Sequence, residues 1–131
     1  MDGETDLTKL LREMRPELNA GEFVFCSIAA HNLPENIEPL GLFREKEGLT
    51  VILSKAEADQ LGWPYSFVGA WITLNVHSAL DAVGLTAAVS SALTRAGISC
   101  NVVAAYYHDH IFVPLKDAQR ALEVLQSLTR T

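Results

Sequence analysis

His108-Asp109-His110 places two imidazoles and a carboxylate in consecutive positions, a donor set that a transition metal can use. Geometry works against that use. On a strand His108 and Asp109 point to opposite faces, and in a tight turn all three side chains face water. Zinc needs a further ligand, and His31 and His77 have no motif spacing relative to the run. The run is predicted to be a hairpin turn, with no metal bound. Cys26 and Cys100 both sit in apolar, strand-like stretches. They are predicted to be reduced, buried thiols rather than a disulfide or a nucleophile. Ser27, Ser78 and Ser90-Ser91 lack an elbow of the G-x-S-x-G kind. Glu13, Glu17, Glu35, Glu38, Glu45 and Glu47 read as solvated faces, not as a paired acid and base. Neither glycine-rich nucleotide fingerprint is present. No catalytic constellation emerges, so the chain is predicted not to be an enzyme and to carry no cofactor. Trp63-Pro64-Tyr65 is predicted to pack a helix end against a sheet, in preference to forming a ligand wall.

Ser78 to Thr86 (SALDAVGLT) is the most informative segment, because it links a strand to a helix. Asp81 can cap the helix, and Gly84 lets backbone approach closely. The first amides of a helix have no intrahelical partner, and the dipole there favours negative charge, so such a start can hold a carboxylate or phosphate. By residue type alone, an ordinary capped turn is the better account of the segment.

The elements that position these residues follow from periodicity. Leu7, Leu10, Leu11 and Met14 form one apolar stripe, which predicts a helix from Asp6 to Met14, capped by Asp6 and stopped by Pro16. Glu22–Ala30 reads as a central strand, and His31–Pro39 as a breaker-rich loop. Leu42–Glu45 and Leu49–Leu53 flank Lys46-Glu47-Gly48 as a hairpin. Ser54 and Glu57 form a capping box for a short helix that ends at Gly62. In Phe67–His77, Trp71, Thr73 and Asn75 alternate with Ile72, Leu74 and Val76, a long strand. A helix follows over Leu85–Ala96, then strands at Ser99–Tyr106 and Ile111–Val113. Asp117–Leu128 is the last helix, with Ala118, Ala121, Leu122, Leu125 and Leu128 on one face.

Length and charge bound the rest. At 131 residues the chain fits one domain or two very small ones, and can bury roughly two-thirds of its unfolded surface without metal or disulfide staples. Ten basic against sixteen acidic residues give a formal charge of −6, which argues against nucleic acid and against an anionic membrane surface. The acidic start Met1-Asp2-Gly3-Glu4 does not resemble an export signal, and no apolar run reaches the roughly 18 residues of a membrane span. The cytoplasm is the predicted location.

The chain also repeats itself weakly. Gly48–Lys55 has the plan of His110–Asp117, an apolar strand running into a capped helix, and Gly21–Phe25 echoes Gly69–Thr73. The second half reads β-α-β-β-α. The first half reads the same with its first helix replaced by the His31–Pro39 loop. Such units belong to the α+β, ferredoxin-like class: an antiparallel sheet with helices on one face. The second unit has no closing strand after Leu128, so the long strand at residues 67–77 is predicted to serve both units.

The stretch from Val68 to Leu125, with Ala96-Gly97-Ile98-Ser99 and Tyr106 to Val113 as its marks, resembles the ACT domain, the small regulatory fold of amino-acid metabolism. More narrowly, residues 20–130 resemble a bacterial tandem-ACT family of unassigned function, related to the ACT modules of CASTOR-type arginine sensors. The resemblance implies an N-terminal helical segment over 1–19, a degenerate first ACT-like unit over 20–66 and a second over 67–131. It implies an amino-acid ligand at an interface between paired domains, held by Asp81, Ala82, Val83, Gly84 and Leu85 with Asn101, Val102 and Val103. Ala82 and Val83 stand where the family's usual turn has Arg and Pro. The predicted function is a regulatory module that binds a small molecule, expected to be an amino acid, and acts as a homo-oligomer. The alternative is an oligomerisation or protein-interaction module without a ligand.

Overall fold

The computed structural model describes residues 6–76 and 83–130. The chain divides into two units, Met1–Ala20 with Ala70–Thr131 (unit 1) and Gly21–Gly69 (unit 2).

Unit 1 begins with helix α1 (Leu7–Glu13), capped by Asp6, whose carboxylate accepts the Lys9 amide. Strand β1 (Arg15–Leu18) follows at once. The sequence reading has Pro16 only as a helix stop, whereas Pro16 lies inside this strand, paired in register with Leu74. A proline is tolerated there because β1 is paired on one side only. Strand β5 (Val68–Asn75) begins in unit 2 and continues into unit 1. Its residues Ile72–Asn75 pair antiparallel with Leu18–Arg15. Helix α3 (Leu85–Arg95), strands β6 (Asn101–Ala104) and β7 (Asp109–Pro114), and helix α4 (Ala118–Leu128) complete the unit. Strand order is β1-β5-β7-β6.

One core holds unit 1 together. Ala70, Ile72 and Leu74 of β5, with Ile111 and Val113 of β7, bury one sheet face against Leu10, Met14, Val89, Leu93, Ala121 and Leu125. The helices therefore lie on that face. Val124 joins the cluster in place of Leu122, which the helical stripe had predicted to face it.

Unit 2 contains β2 (Phe23–Ile28), β3 (Gly41–Arg44), β4 (Leu49–Ser54) and helix α2 (Lys55–Leu61). Strand β4 lies between β2 and β3, antiparallel to both. The start of β5 adds the fourth strand, with Gly69 and Val68 opposite Phe23 and Val24. Ser54 caps α2 by accepting the Glu57 amide at 3.1 Å, and Gly62 ends it at φ +72°, a conformation glycine adopts without Cβ strain. Val24, Cys26, Leu49, Val51, Leu53 and Ala58 form the core. Trp63 and Tyr65 pack on that core, as expected of a trio that seats a helix end. The Tyr65 hydroxyl also donates to Asp59 at 2.6 Å. Both cysteines are free, Cys26 buried and Cys100 half-buried, and burial pushes both thiols above their ordinary range. Each unit pairs an antiparallel sheet with helices packed on its core, the ferredoxin-like arrangement that the repeat predicts.

Candidate functional site

The start of α3 shows what the predicted ligand turn offers. Gly84 takes φ +105° and caps the helix without a side chain. A Cβ there would stand 3.1 Å from the tip of the Leu7 side chain, and the positive φ is one that residues with a Cβ rarely adopt, so conformation selects glycine. Val83 is 84% exposed, Gly84 is half-buried and Leu85 is buried. Leu85 is buried in the unit 1 core, so its side chain is unavailable to a ligand. Asp81 and Ala82 lie outside the described residues.

Strand β6 supplies the other predicted positions, at the edge of the sheet. Its register opposite β7 sets Asn101 against Phe112, Val102 against Ile111 and Val103 against His110. Val102 packs with Ile111 on the core, so its side chain is unavailable to a ligand. Asn101 and Val103 fall on the opposite face, and both are exposed. Period-two alternation thus splits the predicted trio between two faces.

The His108-Asp109-His110 run requires a correction. The turn closes over Ala105–His108, where the Ala105 amide donates to the His108 carbonyl. Asp109 and His110 are already in β7, paired with Ala104 and Val103. His108 Nδ1 lies 3.3 Å from the Val76 carbonyl. Among the described residues no three histidine, cysteine, aspartate or glutamate side chains gather closely enough to hold a metal.

His110 belongs to a polar cluster on the helix-free face of unit 1. Trp71 Nε1 donates to His110 Nδ1 at 3.0 Å, and Thr73 Oγ1 lies 3.1 Å from the same nitrogen. Asn19 Nδ2 donates to Thr73 Oγ1 at 2.9 Å. Burial holds the His110 imidazole below its ordinary range. The charge on His108 acts in the same direction, and Asp109 opposes it. Burial raises the Asp109 carboxyl, against the pull of His110 and His108. The alternation of Trp71, Thr73 and Asn75 is visible in the sequence. Their partners are not, because Asn19 and His110 are distant along the chain.

The strand order and the packing of the helices define two small ferredoxin-like units. The chain belongs to the ACT-domain family: one ACT-domain model matches residues 2–70 and a second matches residues 66–127. It is similar to a Vibrio cholerae protein of unknown function, described as a possible transport protein. That likeness has 46% identity and a TM-score of 0.84, and covers 94% of this chain and 95% of that one. An Agrobacterium tumefaciens protein shares the fold at 18% identity and a TM-score of 0.68, over 88% of this chain and 89% of its own. The regulatory subunit of aspartate kinase from Thermus thermophilus shares it at 10% identity and a TM-score of 0.66, over 90% and 97%. No curated protein matches the chain. No helix among the described residues is long and apolar enough to cross a membrane.

Proposed function

We propose that this protein is a regulatory module that binds a small molecule, an amino acid in this reading, and responds by changing the arrangement of its domains or subunits. The observation that carries the proposal is the tandem pair of ACT domains. Support comes from the fold shared with a regulatory subunit of aspartate kinase, a protein of amino-acid metabolism by its name. The relation to CASTOR-type arginine sensors rests on the residue resemblance alone. The ligand contacts assigned are Asp81 to an ammonium group and the amides of Val83, Gly84 and Leu85 to a carboxylate. Ala82, Asn101, Val103 and the main chain of Val102 line the remainder. A ligand that prefers one arrangement shifts the equilibrium by its differential affinity and by no more. The protein works in the cytoplasm as a homo-oligomer in this reading, without catalysis and without a cofactor.

Calorimetric titration tests the site. Asp81→Ala is expected to weaken amino-acid binding at least tenfold, about 1.4 kcal/mol. Unchanged affinity removes Asp81 from the site.

A second reading draws on exposed apolar side chains near the edge strands. Leu42 and Phe43 of β3 are 49% and 71% exposed, and Tyr106 and Tyr107, at the β6–β7 turn, 74% and 68%. Unpaired strand edges of this kind favour self-association. Mass by light scattering, with and without amino acids, separates the readings: a ligand-independent oligomer favours the interaction module.

A further inference from the structure

An indole nitrogen can only donate, so the 3.0 Å bond from Trp71 Nε1 requires a lone pair on His110 Nδ1. The neutral ring then carries its proton on Nε2. Thr73 Oγ1 stands 3.1 Å from that same Nδ1 and is the hydroxyl on which Asn19 Nδ2 leans. Asn19 in turn secures the chain directly after β1, its amide donating to the Trp71 carbonyl at 2.9 Å. One imidazole nitrogen therefore connects β7, β5 and the end of the β1 segment.

We propose that His110 is a proton-operated latch on the closing strand of unit 1. Neutral, it accepts the Trp71 indole. When a proton from solvent binds Nδ1, the ring must donate there, and Thr73 Oγ1 is the acceptor within reach. The hydroxyl has two lone pairs, of which Asn19 uses one, so it can take the new bond once its own hydrogen turns away. Trp71 then faces a donor and loses its acceptor.

The surroundings set the direction. Asp109 on β7 and His108 in the turn just before it are the titratable neighbours along the chain. Trp71 and Thr73 on β5, and Val103 opposite on β6, are uncharged. From β1, Glu17 is in register with Thr73 but accepts Asn75 Nδ2 at 3.0 Å. The Arg15 guanidinium donates to the Arg12 and Met14 carbonyls. Burial and His108 both oppose protonation of the ring and keep the latch closed at neutral pH, and protonation in acid opens it.

Trp71 reports on the latch directly. Trp63→Phe leaves it the sole indole of the chain. Its fluorescence, followed from about pH 8 to about pH 4, is expected to show a transition with a midpoint below the ordinary histidine value of 6.5. The transition should vanish in His110→Gln and persist in His108→Gln with its midpoint moved upward. A transition that survives His110→Gln, or none in the Trp63→Phe parent, overturns the proposal. Nitrogen NMR of the unaltered protein needs no substitution: near pH 8 a lone pair on His110 Nδ1 supports the latch, and one on Nε2 overturns it.

Discussion

Unit 2 closes its sheet with the chain that comes next, the first residues of β5, whereas unit 1 closes its sheet with chain that came much earlier, β1. Both reach the same spatial order, with the closing strand beside the first strand of the repeat: β3-β4-β2-β5 in one and β6-β7-β5-β1 in the other. The fold requires a paired strand at that place, and register with a neighbour satisfies the requirement whatever the order along the chain. The units also cover their sheets differently. Unit 1 packs α1, α3 and α4 on its core face. In unit 2, α2 is the only α-helix among the described residues, and Leu33 and Ile37 of the breaker-rich loop cover part of the core. A loop with two well-placed apolar residues can do part of a helix's work when the unit is small.

The comparison makes α1 and β1 integral to unit 1, and the most damaging test addresses that. Leu10 is fully buried although its helix has seven residues. Leu10→Ala should cost about 2–5 kcal/mol in urea unfolding. A loss below about 0.5 kcal/mol, within the range of surface substitutions, would make the segment peripheral. The unit 2 hairpin comes next. A Cβ on Gly48 would stand 2.9 Å from both the Ile28 carbonyl oxygen and Ser27 Oγ, so Gly48→Ala should cost about 1–3 kcal/mol by the same assay. Ser54→Ala removes the side-chain cap of α2 and should cost about 1 kcal/mol. If it costs nothing, α2 is held by packing alone. Last and smallest is the pH dependence. The unfolded chain protonates His110 near 6.5 and the folded chain at lower pH, so the unfolded state binds more protons between those values. This group's contribution to stability should therefore fall as pH drops below about 6.5, then level off, and the effect should disappear in His110→Gln. Asp109, raised by burial, acts with the opposite sign nearer the carboxylate range. Urea midpoints measured across this range would show both signs.

Local signals account for most of what the sequence revealed. Ser54 with Glu57, the turn at Gly48 and the stripe of α4 each act within a few residues, and each element formed close to its predicted bounds. Strand β1 was not legible because its four residues include a proline and show no apolar alternation. Its strand character comes from pairing with β5, more than fifty residues away. Separation along the chain also hid the cluster of Asn19, Thr73 and His110, whose members are 37 or more residues apart. Of the predicted ligand positions, residue types could not reveal that Leu85 and Val102 turn inward, because facing is fixed by register and helix phase.

A thermal-shift screen of the whole protein against the twenty amino acids would decide the matter of function. A ligand at one hundred times its Kd adds about 2.7 kcal/mol to the folded state, enough to raise Tm by several degrees in a chain of this size. A reproducible rise with one amino acid, and little with the others, is the predicted result. No rise with any of them, at concentrations that saturate ordinary metabolite sites, would contradict the amino-acid reading and leave the exposed strand edges as the working surface.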